Sequence, residues 1–148
     1  MIFYTDGATS SNGYENAQGG WAFVVIDEND ELVSARSGHI ENATNNICEL
    51  TAIIEACTEA SELNKPIIIY SDSAYCINCY KQKWYKNWQK NGWLNSKKQP
   101  VANKELWEKL IPYFENEDYK FEKVKGHCGN RWNEFVDKLA VAAKEFKQ

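Results

Sequence analysis

The stretch "KPIIIYSD", residues 65–72, decides the architecture. Its apolar run is continuous and short, which fits a strand covered on both faces, as strands of parallel sheets are. It is expected to lie parallel to the first strand. It closes on an acid, Asp72, and the chain's opening does the same: "FYTDG", residues 3–7, ends a β-prone run on Asp6. An Asp-Gly pair often only closes a strand. Two strands ending in the same way call for a fuller explanation.

Working outward, residues 1–6, 19–27 ("GGWAFVVID") and 31–41 ("ELVSARSGHIE") are predicted strands. The acidic "ENDE" between the second and third makes an antiparallel meander. From Thr44 the period changes to that of a helix, with Ile47, Leu50, Ile54 and Cys57 at helical spacing and Thr and Asn residues as N-cap candidates. Helical segments follow at about 73–91 and 103–115, broken by Gly92 and Pro100, then a fifth strand at 119–126. A last helix over about 131–146 places Val136, Leu139, Ala140 and Ala143 on one face. The class is α/β, a five-stranded mixed sheet with helices on both faces. No internal repeat or low-complexity linker interrupts residues 1–148, a length suited to a single domain that buries roughly 70% of its unfolded surface.

Composition narrows the function. With 43% hydrophobic and 14% aromatic residues the chain packs a core rather than staying disordered. Its apolar runs are strand-sized and too short to cross a bilayer. The first strand begins at once, leaving no room for a signal peptide, so the cytoplasm is the expected location. Five cysteines (Cys48, Cys57, Cys76, Cys79 and Cys128) are odd in number and irregularly spaced, and all are read as reduced thiols. "CINC" at 76–79 has no second ligand pair, so core packing outweighs half a zinc site.

The net charge of −4 speaks against a general polyanion binder, but its distribution does not. The segment 81–104, "KQKWYKNWQKNGWLNSKKQPVANK", carries seven lysines, several tryptophans and no acid. A basic, Trp-bearing face on an acidic body points to a directed patch for a polyanion.

Asp6 and Asp72, at the ends of neighbouring strands, stand where open α/β sheets bind ligands. Glu49 in "NICELTAI" and Asp137 in "NEFVDKLA" sit among apolar neighbours where a charge needs a partner. Four converging carboxylates repel one another, and hard divalent cations such as Mg2+ are the usual way to neutralise them. His127, in the glycine-flanked "VKGHCGN", is suited to proton transfer near neutrality. His39, with no motif around it, is assigned to structure.

"YTDGA", "NICELTAI", "IYSDSAY", "KGHCGNRWNEFVDKLA" and the Trp-rich lysine segment occur in the order and spacing of type 1 ribonuclease H. The chain resembles that family over essentially its whole length. The resemblance implies the ribonuclease H-like fold and an endoribonuclease that cuts the RNA strand of RNA–DNA hybrids with two Mg2+ or Mn2+ ions, leaving 5'-phosphate and 3'-hydroxyl ends. By motif match Asp6, Glu49, Asp72 and Asp137 are the metal-binding acids, with Asp6 the shared corner. His127 assists proton transfer or product departure, and Glu134 modulates it.

Further positions follow from the same resemblance. Asn12, Asn45 and Asn46 match positions that read the RNA minor groove, and Thr44 and Asn103 match positions that hold a DNA phosphate. Trp84, Trp88 and Ser96 match the channel where deoxyribose packs. Ala74 departs from the family in lacking a longer side chain, which removes one groove contact. The resemblance further implies a monomer without a separate hybrid-binding domain. A noncatalytic hybrid binder would be expected to lose at least one of the four acids, and another nuclease of the superfamily would lack the lysine-tryptophan segment.

Overall fold

A computed structural model describes residues 1–10, 16–124 and 130–145. Three strands open the chain: β1 (Ile2–Thr9), β2 (Gln18–Ile26) and β3 (Leu32–Glu41). Then come α1 (Asn45–Ala60), β4 (Ile67–Ser71), α2 (Ala74–Gln82), α3 (Trp84–Asn91), α4 (Lys104–Phe114), β5 (Tyr119–Lys123) and α5 (Arg131–Glu145). The sheet has five strands in the order β3-β2-β1-β4-β5. β1 and β3 run antiparallel to β2, whereas β4 is parallel to both β1 and β5 as expected, although it buries Ile67, Ile69 and Ser71 on one face and only half-covers Ile68 and Tyr70 on the other.

Two cores hold the layers together. Phe3, Phe23, Ile69 and Phe121 of the sheet pack with Leu50 and Ile53 of α1 and with Trp107 and Leu110 of α4. On the opposite face Ala22, Val24 and Ile26 pack against Val136 and Ala140 of α5. The helices therefore cover both faces.

Local structure departs from expectation in three places. β1 does not stop at residue 6: its parallel pairing with β4 ends at Thr5↔Ser71, but its antiparallel pairing with β2 continues to Thr9↔Gly19. Asp6 thus marks the point where one neighbour is lost, not the strand's end. The segment 73–91 is two helices, because Lys83 adopts a left-handed conformation (φ 55°) and its N–H caps the Cys79 carbonyl. The break lets Tyr85 turn into the core. Helix α1 buries Leu50, Ile53 and Cys57 but leaves Ile54 only partly covered, because its covered face is centred on Ile53.

Candidate active site

Thr44 caps α1 by accepting the Ile47 N–H at 3.1 Å, which fixes the first turn and places Glu49 one turn in. The helix approaches β1 closely because Gly7 has no side chain: a Cβ there would stand 2.5 Å from the Cys48 carbonyl carbon. Gly20 does the same for α5, where a Cβ would lie 2.3 Å from the Ala140 oxygen. These two close approaches carry Glu49 and Asp137 to Asp6. The start of α5 is also tied down, since Arg131 Nη2 and Trp132 Nε1 donate to the Asp30 carboxylate in the β2–β3 turn at 2.7 and 2.6 Å.

Asp6, Glu49, Asp72 and Asp137 line one depression of about 470 Å³, with Asn45 and Asn46 among its other walls. The Gly7 N–H donates to Asp6 Oδ1 at 2.9 Å and also to Glu49 Oε1. Glu49 and Asp137 both face the Asp6 carboxyl and raise its pKa. Burial first, and then the charge of Glu49, push the Asp6 carboxyl far above the usual carboxylate range. Burial likewise raises Glu49, helped by the charges of Asp72 and Asp137 and opposed by the bonds from Asp6 and Gly7. Carboxyls this close, with positive charge in short supply, resist full ionisation.

That shortage and an all-oxygen donor set fit a hard divalent cation. Among the described residues no group of three or more His, Cys, Asp or Glu side chains stands in ligating geometry around one point. The contacts account for this: Glu49 is turned to the Gly7 N–H, and Asp72 Oδ1 lies 3.9 Å from Lys123 Nζ.

Beside the depression an aromatic ladder begins. Tyr75 lines the acid pocket and tilts against Trp84 and Trp107, at centroid distances of 6.1 and 5.3 Å. Trp88 meets Trp84, Trp93 and Trp107 at 6.4, 5.6 and 5.6 Å. Trp84, Trp88 and Ser96 share a groove of about 390 Å³. Asn103, in a left-handed conformation (φ 64°), stands immediately before α4. Glu134 is in the first turn of α5. Asn12, His127 and Cys128 lie outside the described residues.

Other polar groups are accounted for by structure. His39 bonds the Ala143 carbonyl oxygen at 2.8 Å and Gln18 Oε1 at 2.6 Å, joining β3 to α5. Cys48, Cys57, Cys76 and Cys79 are buried free thiols, and burial pushes Cys76 and Cys79 up to about 12. Such thiols stay protonated and unreactive.

Gly7, Gly20, Tyr75, Trp93 and Lys123 are features of the site that residue-by-residue sequence reading passes over. The glycine pair at 19–20 inside a β run was the available signal, because an interior strand glycine often marks a close backbone approach. Lys123 carries no such signal.

The RNase H family profile matches residues 1–145. A ribonuclease H of Clostridium botulinum is 46% identical over 149 aligned positions, covering 98% of this chain and 95% of its own. One from Syntrophomonas wolfei is 45% identical over 142, covering 95% and 92%. Among solved structures, a foamy viral protease-reverse transcriptase in complex with dsDNA superposes with a TM-score of 0.84 at 23% identity, over 97% of this chain and 92% of that one. A type 1 RNase H with the type 2 active-site motif superposes with a TM-score of 0.80 at 22% identity, over 99% and 72%. At these identities the structures speak to the fold.

Proposed function

The chain belongs to the ribonuclease H family and is a metal-dependent endoribonuclease that cleaves RNA in RNA–DNA hybrids; on that premise we propose that Asp6, Glu49, Asp72 and Asp137 carry the reaction by holding two Mg2+ ions, with Mn2+ as a substitute. The observation that carries this reading is the convergence of four carboxylates in one depression, two of them raised by burial and mutual repulsion. Bound cations lower the pKa of an attacking water and stabilise charge on the leaving oxygen of an in-line displacement. Asp6, whose carboxyl is influenced by both Glu49 and Asp137, is the shared corner of the site.

The remaining residues select and orient the hybrid. Asn45 and Asn46 line the same depression, and their amides both donate and accept toward the 2'-hydroxyl-bearing strand, as does the amide of Asn12. Thr44 and Asn103 hold a phosphate of the DNA strand. Trp84, Trp88 and Ser96, which share a groove, pack against deoxyribose where an added hydroxyl is crowded out. His127 passes a proton or eases product departure, and Glu134 modulates it.

All four acids of the pocket come from one chain, which supports action as a monomeric catalytic domain. Among the described residues no helix is long and apolar enough to cross a membrane, and the buried free thiols suit a reducing compartment such as the cytoplasm. The test is cleavage of a labelled hybrid in Mg2+ beside matched double-stranded RNA, double-stranded DNA and single-stranded RNA. Products with 5'-phosphate and 3'-hydroxyl ends from the hybrid alone are the expected result. Hydrolysis of small phosphomonoesters without hybrid cleavage would overturn it.

A further inference from the structure

Resting on the assignment of Asp72 as a metal-binding acid, we propose that Lys123 is a built-in counter-cation: it holds the Asp72 carboxylate in the metal-free site and competes with the divalent cation for it. The placement is set by the backbone. β5 pairs with β4 so that Lys123 stands beside Ser71, the residue before Asp72, and the Val124 N–H fixes that end of β5 by donating to the Ser71 carbonyl at 3.0 Å. From there Lys123 Nζ reaches Asp72 Oδ1 at 3.9 Å.

Among the described residues this is the ion pair that touches the acid pocket, and none of the residues lining that pocket is a lysine or arginine. The neighbouring acid on β5 is already engaged, since Glu122 accepts from Lys81 at 2.8 Å. The pair with Asp72 is open to water, with the two side chains 49% and 39% exposed. An ammonium in that position adds a favourable but weak charge contact and is released at little cost, because its flexible stem lets the head return to solvent.

A divalent cation on the Asp72 carboxylate repels an ammonium held beside the same oxygen, 3.9 Å away. Cation binding at Asp72 therefore displaces Lys123, and the lysine lowers the site's cation affinity while keeping the empty pocket from repelling itself. Removing the charge but not the stem, with Lys123→Met, is expected to tighten cation binding by about two- to fivefold, the range an exposed ion pair supports.

The experiment is isothermal titration calorimetry of the metal-free protein with Mg2+ and with Mn2+, without nucleic acid. It compares the unsubstituted chain with Lys123→Met, Lys120→Met, Asp72→Asn and the Lys123→Met/Asp72→Asn double variant. Lys120 is an exposed lysine of the same strand and controls for net charge. Tighter binding in Lys123→Met, no change in Lys120→Met, and loss of the lysine effect in the Asp72→Asn background are the expected results. Equal or weaker binding in Lys123→Met, or the same tightening with Asp72 removed, overturns the inference while leaving the acids as ligands. Unchanged binding in Asp72→Asn itself overturns that underlying assignment, and the inference with it.

Discussion

The acid pocket and the aromatic arm, to which we assign the same substrate, are built by opposite means. In the pocket, backbone places each group: a strand register for Asp6, a close helix approach across Gly7 for Glu49, and another across Gly20 for Asp137. In the arm, between α2 and α4, side chains place one another. Trp88 is held by three other tryptophans, while the backbone around it bends through left-handed residues at Lys83, Gly92, Trp93 and Asn103. On the proposed roles, chemistry that needs charges fixed in space sits where backbone sets positions, and contact with a long polymer sits where side-chain packing does.

The difference is sharpest in what substitution should do. Exchanging a pocket acid for its amide leaves the backbone that positions it intact. Glu49→Gln and Asp72→Asn are each expected to lower hybrid cleavage about a thousandfold or more, with circular dichroism and hybrid binding retained. Single-turnover rates check this, and a loss below tenfold would break the contrast.

In the arm the order reverses. Trp107 is fully buried between Tyr75, Trp88 and Phe114. Trp107→Ala is expected to cost about 3–5 kcal/mol of stability in urea unfolding, with hybrid binding weakened along with the fold. Gly20→Ala tests the pocket's dependence on backbone approach. A methyl group 2.3 Å from the Ala140 oxygen must push α5 outward, so a cost of about 1–3 kcal/mol is expected, together with a fall in kcat larger than the change in KM.

The charge balance of the pocket is tested by pH. Asp6 and Glu49 have folded pKa values raised above their unfolded ones, so the folded state holds more protons from about pH 4 upward. Stability of the metal-free protein is therefore full below that range and falls as pH rises toward the folded values, by up to about 1.4 kcal/mol per unit for each retained proton. Asp6→Asn is expected to flatten this slope and to stabilise the metal-free protein near neutrality. Thermal unfolding from pH 5 to 8 measures both, and a slope of the opposite sign would contradict the raised carboxyls.

How much of this the sequence carried follows from the same contrast. The run "PIIIY" and the meander before it were legible as strands because short β-prone runs between turn residues leave a pattern within a few residues. The expected cover on both faces of β4 is only partial, with Ile67 and Ile69 buried and Ile68 and Tyr70 half-covered. The four acids were legible because Asp6 and Asp72 each close a β-prone run and Glu49 and Asp137 each sit among apolar neighbours where a lone charge is costly. Lys83 carries no break signal, since lysine is a good helix former, and the turn there goes with the burial of Tyr85, a tertiary contact. The continuation of β1 past Asp6 depends on which partner ends first, a matter of pairing between distant segments. Lys123 faces Asp72 for the same reason, through the β4–β5 register.

The most direct measurement is cleavage of a strand-labelled RNA–DNA hybrid in Mg2+ by the unsubstituted chain and by Asp6→Asn, at protein concentrations giving equal hybrid binding. Cutting confined to the RNA strand and abolished in Asp6→Asn is the predicted result. Substantial turnover by that variant would contradict the claim that the acid where β1 loses its parallel neighbour is the centre of catalysis.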